Sequence, residues 1–237
     1  MGIGSMLGFS AAGRSVRLPS GYRKTVNWVP RIGDVFPDFV ANSTRGRFSF
    51  HDWAEGKWSF LFSHPGAFTP VCSTEIASFA NAQEDFESRN VQVMGLSGNE
   101  VETQLAWHAD IERIFNVKVE FPVVEDLGGE LATTFGMIHA HETDAYPIRK
   151  SFVIDPALKV RLIFEYPVLM GRSSTETLRV IDALQVIDRH GVATPCDWVP
   201  GNKVILPFGM SDAEATSLYG SNWSKLSSYL KVARVPV

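Results

Sequence analysis

Cysteine is scarce in this chain, with only Cys72 and Cys196 among 237 residues. The two lie more than 120 positions apart, so they form neither a CxxC pair nor a set of zinc ligands. Two cysteines are also too few for the disulfide frameworks that hold small secreted domains together. The sequence therefore favours a reducing compartment.

Long apolar runs and basic charge are missing as well. No run approaches the ~20 apolar residues that a membrane-spanning helix needs, so we expect no membrane span. The formal net charge is −4, whereas a nucleic-acid-binding domain normally presents a basic face. The chain is 45% hydrophobic and 20% charged, a composition typical of an ordinary globular protein.

Acidic residues are missing from the first 33 positions. Asp34 is the first, and five basic residues precede it: Arg14, Arg17, Arg23, Lys24 and Arg31. A basic, acid-free segment resembles an organellar transit peptide. The simpler interpretation is an N-terminal extension over residues 1–30 that packs on the protein surface or on a partner. We therefore predict a cytoplasmic protein, with organellar targeting as the alternative.

The most informative segment surrounds Cys72. Residues 58–62 form an aromatic and aliphatic run typical of a buried strand, and Pro65 and Gly66 interrupt it. Apolar residues then recur at helical spacing, which predicts a helix over residues 73–89 and places Cys72 at its first turn. Unpaired backbone N–H groups and the positive end of the helix dipole stabilise a thiolate at that position.

An inert Cys72 is the alternative interpretation, because a lone cysteine is more often a small buried hydrophobe than a nucleophile. Three features favour a reactive thiol: the start of a helix, the Thr69 hydroxyl three residues earlier, and the stiff turn at Pro65. That hydroxyl can bond to the sulfur or to a bound ligand. These residues by themselves support the two interpretations about equally.

The pattern Pro65-x-x-x-Thr69-x-x-Cys72 resembles the active-site signature of peroxiredoxins, which are thiol peroxidases with a thioredoxin-like fold. The longer string over residues 62–72 is similar to the peroxiredoxin 6 type, the 1-Cys branch. Other similar segments follow in the family's order, at residues 136–139, 149–155, 166–167, 171–173, 177–185 and 192–207. The resemblance covers roughly residues 30–230.

The resemblance implies a role for each residue of the signature. Cys72 becomes the peroxidatic thiolate, Thr69 orients the peroxide, Arg149 stabilises the sulfur and holds an oxygen, and Pro65 shields the pocket. Four further residues are implied in substrate binding or in support of the site: His64, Val71, Glu75 and Arg172. Glu75 is expected to orient Arg149, and Arg172 to supply a second cation. No metal and no cofactor are implied.

The order of predicted elements indicates an α/β protein. Strands are predicted at 58–63, 91–97, 151–155 and 160–166, and helices at 73–89, 100–115, 130–135 and 175–189. Alternating strands and helices predict a central sheet covered by helices, as in the mixed sheet of the thioredoxin-like fold. We expect a peroxidase domain over residues 31–192 and a small, irregular C-terminal domain over residues 193–237. The latter is short for a core of its own and is expected to pack on its own core domain or on a second subunit.

Two residues depart from the family's pattern. The family does not usually place a cysteine at the domain junction, so Cys196 is either a bystander, which we favour, or a resolving cysteine that forms a disulfide with oxidised Cys72. Ala67 stands where an acidic residue is common, a change expected to tune the pocket. The lipase-like Gly-x-Ser-x-Gly motif of some relatives is missing, so we predict no phospholipase activity.

The sequence thus predicts a thiol-dependent peroxidase that reduces hydrogen peroxide and organic hydroperoxides. An external thiol of unknown identity would regenerate it, and the resemblance implies a homodimer, with a larger ring as the alternative assembly. A redox-controlled oligomeric holdase or peroxide sensor is the second hypothesis. A thiol–disulfide oxidoreductase is disfavoured, because no second cysteine lies in the helical turn that follows Cys72.

Overall fold

The computed structural model describes residues 29–143 and 145–236. The predicted N-terminal extension or transit peptide therefore lies almost entirely outside the described residues. Two compact units are present, the first ending at Thr175 and the second beginning at Glu176. The predicted boundary after residue 192 falls inside the second unit, because the helix before it contributes Ala183 and Val186 to that unit's core.

The first unit contains a seven-stranded mixed sheet in the order β2-β1-β5-β4-β3-β6-β7. Strand β3 pairs in parallel with β4 and antiparallel with β6, as the predicted fold class requires. The strands are β1 Val40–Ser43, β2 Gly46–Ser49, β3 Trp58–Ser63, β4 Val91–Ser97, β5 Val123–Glu125, β6 Arg149–Ile154 and β7 Val160–Tyr166. The helices that start in this unit are α1 Phe50–Ala54, α2 Pro70–Asn81, α3 Gln83–Ser88, α4 Val101–Phe115, α5 Glu130–Thr134 and α6 Ser174–His190, the last of which continues into the second unit.

Strand β3 contributes side chains to the core on both faces of the sheet, because successive residues of a strand point to opposite faces. Leu61 belongs to a buried cluster on one face that includes Phe36 and Phe152. Phe60 and Phe62 point to the other face, with ring centroids 5.3 and 4.8 Å from that of Phe79 in α2. This packing holds α2 against the strand that precedes it. The segment that leads to Cys72 therefore begins directly after a fully buried strand.

The predicted single helix over residues 73–89 is wrong in two respects. Helix α2 begins at Pro70 because a proline at the first helical position loses no hydrogen bond and has its φ angle already set. It ends at Asn81, and Ala82, at φ −92° and ψ 9°, separates it from α3. The predicted bounds of β3, β4 and β7 are confirmed.

The second unit is more regular than predicted. Three short antiparallel strands, β8 Val204–Ile205, β9 Trp223–Lys225 and β10 Lys231–Ala233, form a sheet in the order β8-β10-β9. Helix α7, Asp212–Tyr219, begins with a capping box between Ser211 and Glu214. Trp198 and Ala215 are buried in a core that also takes side chains from α6. Helix α6 belongs to this unit from Glu176 onward and gives it the core that residues 193–237 were expected to lack. Among the described residues, no helix has both the length and the apolar composition needed to cross a membrane.

Candidate active site

Cys72 is the third residue of α2 and its side chain is completely buried. The preceding Thr69 is the N-cap, with an extended backbone at φ −107° and ψ 141°, and its side chain makes no capping hydrogen bond. The N–H groups of the first turn are therefore not satisfied by a side-chain cap, and the positive end of the helix dipole faces the sulfur. The predicted place of Cys72 at the start of a helix is confirmed.

Arg149 reaches the sulfur from the first position of β6. Its Nη1 lies 3.3 Å from Cys72 Sγ and also bonds to a carboxylate oxygen of Glu75, while its Nε donates to the carbonyl of Val168 at 2.8 Å. The Arg149 side chain is only 2% exposed. Three acceptors, two on α2 and one at Val168, therefore fix the orientation of the guanidinium group, a task that suits the rigid arginine fork.

Glu75 connects the two arginines of the site. It follows Cys72 by three residues on α2, so both side chains lie on one face of the helix. One carboxylate oxygen accepts from the Arg172 backbone N–H and from Arg172 Nε, both at 2.8 Å. The other accepts from Arg149 Nη1 and from Arg172 Nη2. Arg172 thus supports the site through Glu75 and also donates to Ser151 Oγ at 2.9 Å.

The buried cluster beside Cys72 carries an excess of positive charge. Arg149 and Arg172 contribute two positive charges and Glu75 one negative charge, and all three side chains are nearly inaccessible to solvent. A neutral Cys72 thiol leaves one positive charge uncompensated, whereas a thiolate balances it. An uncompensated charge is costly in a buried site, so this excess positive charge is the main electrostatic feature beside the sulfur.

The replacement Glu75→Gln is expected to lower the free energy of unfolding by about 3 kcal/mol, because it leaves two buried guanidinium groups without their carboxylate. Urea denaturation measures this change. Asp110→Asn is the matched control, since Asp110 pairs with Arg113 on the exposed side of α4 and such pairs contribute under about 1 kcal/mol. Equal costs for the two variants would contradict the charge balance described above.

Of the two partners predicted for the Thr69 hydroxyl, the sulfur or a bound ligand, the sulfur is not the one to which it donates. Thr69 Oγ1 donates to the carbonyl of Gly66 at 2.8 Å. Because a hydroxyl has one proton and two lone pairs, the oxygen is then left as an acceptor. Thr69 Oγ1 can therefore accept a hydrogen bond from an incoming ligand but has no second proton with which to donate one.

A cavity of about 300 Å³ lies beside this site. Arg149 lines it and also contacts Cys72, so the cavity and the sulfur are joined through one side chain. Its other lining residues are Pro65, Thr69, Pro70, Val71, Tyr146, Val168 and Leu169. Most of these are apolar, so the cavity suits a ligand with a small polar head and an apolar remainder.

His64 lies behind the site, without exposed surface and without a hydrogen-bond partner for either ring nitrogen in the described structure. Its ring centroid is 5.2 Å from that of Trp107. Burial lowers the pKa of His64 to about 3, with further lowering from the charges of Arg172, His108 and Arg149. At neutral pH His64 is therefore an uncharged packing residue beside the arginines.

Cys196 belongs to the second unit and is exposed. Its Sγ donates to the Asp197 carboxylate at 3.3 Å. This hydrogen bond and the negative charge of Asp197 raise the pKa of the Cys196 thiol. The protonated form is a weak nucleophile, so the surroundings of Cys196 do not activate it.

Sequence reasoning missed the residues that support the site from neighbouring elements. Trp107 Nε1 donates to Ser73 Oγ at 3.0 Å, and Asn99 Oδ1 accepts from the backbone N–H of Ala67 at 2.8 Å. Neither Asn99 nor Trp107 stands near Cys72 in the chain. Only the parallel pairing of β3 with β4 brings the end of β4 beside the Cys72 segment.

Comparison with known proteins identifies two family models in this chain. Residues 32–163 match the AhpC/TSA family, and residues 183–222 match the C-terminal domain of 1-Cys peroxiredoxin. The mitochondrial peroxiredoxin PRX1 of Saccharomyces cerevisiae is 41% identical over 211 residues, which are 86% of this chain and 80% of the yeast protein. The 1-Cys peroxiredoxin of Dictyostelium discoideum is 35% identical over 206 residues, covering 87% of this chain and 86% of that protein.

Solved structures agree with the sequence comparison. The yeast mitochondrial 1-Cys peroxiredoxin superposes with a TM-score of 0.79 at 40% identity, covering 86% of this chain and 99% of the yeast chain. The Peroxiredoxin 6 of Arenicola marina superposes with a TM-score of 0.82 at 36% identity, covering 87% and 98% of the two chains. The predicted family and fold are thereby confirmed. This chain belongs to the peroxiredoxin family, in its peroxiredoxin 6 or 1-Cys type, and it is a thiol-dependent peroxidase.

Proposed function

We propose that Cys72 is the peroxidatic cysteine and that it reduces hydrogen peroxide and organic hydroperoxides. The observation that carries this proposal is the 3.3 Å contact between Arg149 Nη1 and Cys72 Sγ inside a buried cluster that lacks one negative charge. The mainly apolar cavity supports organic hydroperoxides as substrates. Neither the geometry nor the comparisons support the holdase or sensor hypothesis.

The first step is a nucleophilic displacement at one peroxide oxygen. The Cys72 thiolate attacks that oxygen, the O–O bond breaks, and the sulfur is oxidised to sulfenic acid. The peroxide is reduced, and its other oxygen leaves as an alcohol or as water after it takes up a proton. Thr69 Oγ1 accepts the hydrogen bond of the peroxide, and Arg149 stabilises the charge that develops on the oxygens.

Thiolate formation alone explains only part of the rate. A free thiol is a few per cent ionised at pH 7, so complete ionisation increases the reactive fraction by about thirtyfold at most. Greater acceleration requires groups that bind the transition state more strongly than they bind the peroxide in its ground state. Thr69 and Arg149 occupy the wall of the cavity and are the groups that we assign to this task.

An external thiol regenerates the enzyme in the second half of the reaction. One thiol condenses with the Cys72 sulfenic acid to a mixed disulfide and releases water, and a second thiol reduces that disulfide. The structure of the yeast relative was described in terms of thiol resolving through glutathione and thioredoxin systems. We therefore propose glutathione or thioredoxin as the reductant of this chain.

The Cys196→Ser variant is expected to retain full turnover with an external thiol, because Asp197 keeps Cys196 protonated and poorly nucleophilic. NADPH consumption in assays coupled to glutathione or thioredoxin reductase measures the turnover, and Cys72→Ser is the inactive control. Non-reducing electrophoresis after one equivalent of peroxide checks the same point independently. A Cys72–Cys196 disulfide, or loss of turnover in Cys196→Ser, would assign Cys196 the resolving role instead.

Assembly and localisation are proposed on the family relationship. A homodimer is the proposed assembly and a larger ring the alternative, which light scattering after gel filtration distinguishes. The yeast relative is named mitochondrial. Together with the basic, acid-free first 33 residues, this name supports organellar targeting as the alternative to cytoplasmic localisation. A fluorescent reporter fused to residues 1–33 decides between the two.

A further inference from the structure

The peptide unit between Gly66 and Ala67 is held at both ends. Its N–H, from Ala67, donates to Asn99 Oδ1 at 2.8 Å, and its carbonyl, from Gly66, accepts the Thr69 hydroxyl at 2.8 Å. Because the peptide unit is planar and rigid, its N–H and its carbonyl cannot reorient independently of each other. A rotation that displaces the N–H from Asn99 also moves the carbonyl that holds Thr69 Oγ1.

Asn99 is itself fixed just beyond the end of β4. Ser97 Oγ donates to Asn99 Oδ1 at 2.9 Å, so this oxygen accepts two hydrogen bonds. The Asn99 carbonyl accepts from Gln104 Nε2 at 2.9 Å, which holds the backbone of the same residue. The backbone N–H of Ala67 can only donate, so the amide atom that faces it must be the oxygen, and the Ser97 hydroxyl then donates to the same atom. Asn99 therefore presents a fixed acceptor to Ala67.

The loop over residues 64–69 needs such a support. Phe68 has a φ angle of 55°, in the left-handed region, although it is not glycine and its side chain is 57% exposed. Non-glycine residues stay in this region only where the surrounding structure holds them. The Ala67–Asn99 bond ties the middle of the loop to the end of β4, one residue before Phe68.

We propose that Asn99 is a positioning residue for the peroxide reaction, because it holds the Gly66–Ala67 peptide unit and thereby the hydroxyl of Thr69. Within the described residues, no hydrogen bond or ion pair joins the Asn99 side chain to Cys72 or Arg149. Asn99 thus acts on Thr69, which binds the peroxide, and leaves Arg149, which stabilises the thiolate, unchanged. This inference rests on the proposed function of Cys72 and Thr69.

The test compares two reactions of the reduced full-length protein, oxidation of Cys72 by hydrogen peroxide and its alkylation by iodoacetamide. Asn99→Ala is expected to slow oxidation by about tenfold to a hundredfold, since small displacements of a positioning group have effects of that size. Alkylation needs the thiolate but not the Thr69 hydroxyl, so its rate is expected to change by less than about twofold. A general disturbance of the buried pocket would change both rates.

Two further variants make the comparison specific. Asn99→Asp keeps an acceptor oxygen, and the amide nitrogen that it replaces donates no hydrogen bond within the described residues, so oxidation is expected to stay near the wild-type rate. Asn81→Ala removes an exposed amide at the end of α2 and is expected to change neither reaction. Thermal denaturation confirms that each variant is folded at the assay temperature.

Three results would overturn the inference: unchanged oxidation in Asn99→Ala, an equal loss in both reactions, or an Asn99→Asp variant as slow as Asn99→Ala. Each of these leaves the proposed function standing if the wild type reacts rapidly with peroxide. If the wild-type protein is oxidised no faster than a free thiol, the proposed function itself fails and the inference fails with it.

Discussion

Replacing Arg149 by methionine is expected to slow the oxidation of Cys72 by hydrogen peroxide by about 10²- to 10³-fold or more, the usual effect of removing one donor that stabilises transition-state charge. Methionine is long enough to fill the space but cannot donate a hydrogen bond. The variant therefore loses the donor 3.3 Å from Cys72 Sγ together with one of the two buried positive charges. Stopped-flow fluorescence of the reduced protein measures the second-order rate constant.

Alkylation by iodoacetamide separates the two contributions of Arg149. Alkylation follows the thiolate fraction, so it can fall by about thirtyfold at most if Cys72 reverts to the ionisation of a free thiol. Oxidation also depends on how the peroxide is held, and it is expected to fall further. Equal losses in the two reactions would mean that Arg149 acts only by stabilising the thiolate.

Arg149→Lys is the matched control for charge. An ammonium group keeps the positive charge but lacks the planar fork that reaches Val168, Glu75 and Cys72 at once. We expect this variant to recover most of the alkylation rate and to remain slow with peroxide. Full recovery of the peroxide reaction would contradict an orienting role for the guanidinium group.

A decrease of about 4 kcal/mol in the free energy of unfolding is expected between pH 7 and pH 5, from two buried histidines. The pKa of His64 is lowered to about 3 by burial, by Arg172, and by the other nearby positive charges. The pKa of His108 is lowered to about 4, again mainly by burial, since the opposing effect of Glu112 is smaller. Both values lie well below the ordinary value of 6.5.

The sign of the effect follows from proton uptake. Between pH 6.5 and the lowered values, an unfolded chain binds protons at these two side chains and the folded protein does not. The stabilisation is therefore complete above pH 6.5 and is lost as the pH falls towards 4 and then 3. At pH 5 each histidine has lost about 2 kcal/mol, and most aspartate and glutamate side chains are not yet protonated.

Urea denaturation at pH 7, 6 and 5 measures this dependence on the wild type and on two variants. His64→Leu and His108→Leu are each expected to remove about half of the decrease, whatever their stability at pH 7. His141→Leu, at an exposed position, is the control and is expected to keep the whole decrease. A wild-type protein with the same stability at pH 7 and pH 5 would show that neither histidine is buried in its neutral form.

The strands that the sequence predicted correctly are long and carry a strong local signal. Strand β3 is aromatic or aliphatic at four of its six positions, with Ser59 and Ser63 at the others, and ends before Pro65. Strand β7 has β-branched and aromatic residues along its length. Strand β5 has only three residues, and the strands of the second unit have two or three, too few for periodicity to appear. The break at Ala82 had no signal, because alanine is the best helix former.

The candidate site was predictable only in part. The position of Cys72 followed from local pattern, because the end of a strand, two prolines and the start of a helix surround it in the chain. Arg149 needed the family resemblance, since a lone arginine before a strand is usually solvated, whereas here it is the buried first residue of β6. Asn99 and His108 gave no signal, because their importance depends on which elements the folded sheet brings together.

Oxidation of the fully reduced wild-type protein by one equivalent of hydrogen peroxide at pH 7 tests the central claim most directly. Complete ionisation of Cys72 would by itself give a rate constant about thirtyfold above that of free cysteine. We predict a rate constant at least about a thousandfold above that of free cysteine, from added transition-state stabilisation. The Cys72→Ser variant should lose this reaction, with one sulfenic acid formed per chain in the wild type. A rate within about thirtyfold of free cysteine would contradict the claim that Thr69 and Arg149 orient the peroxide.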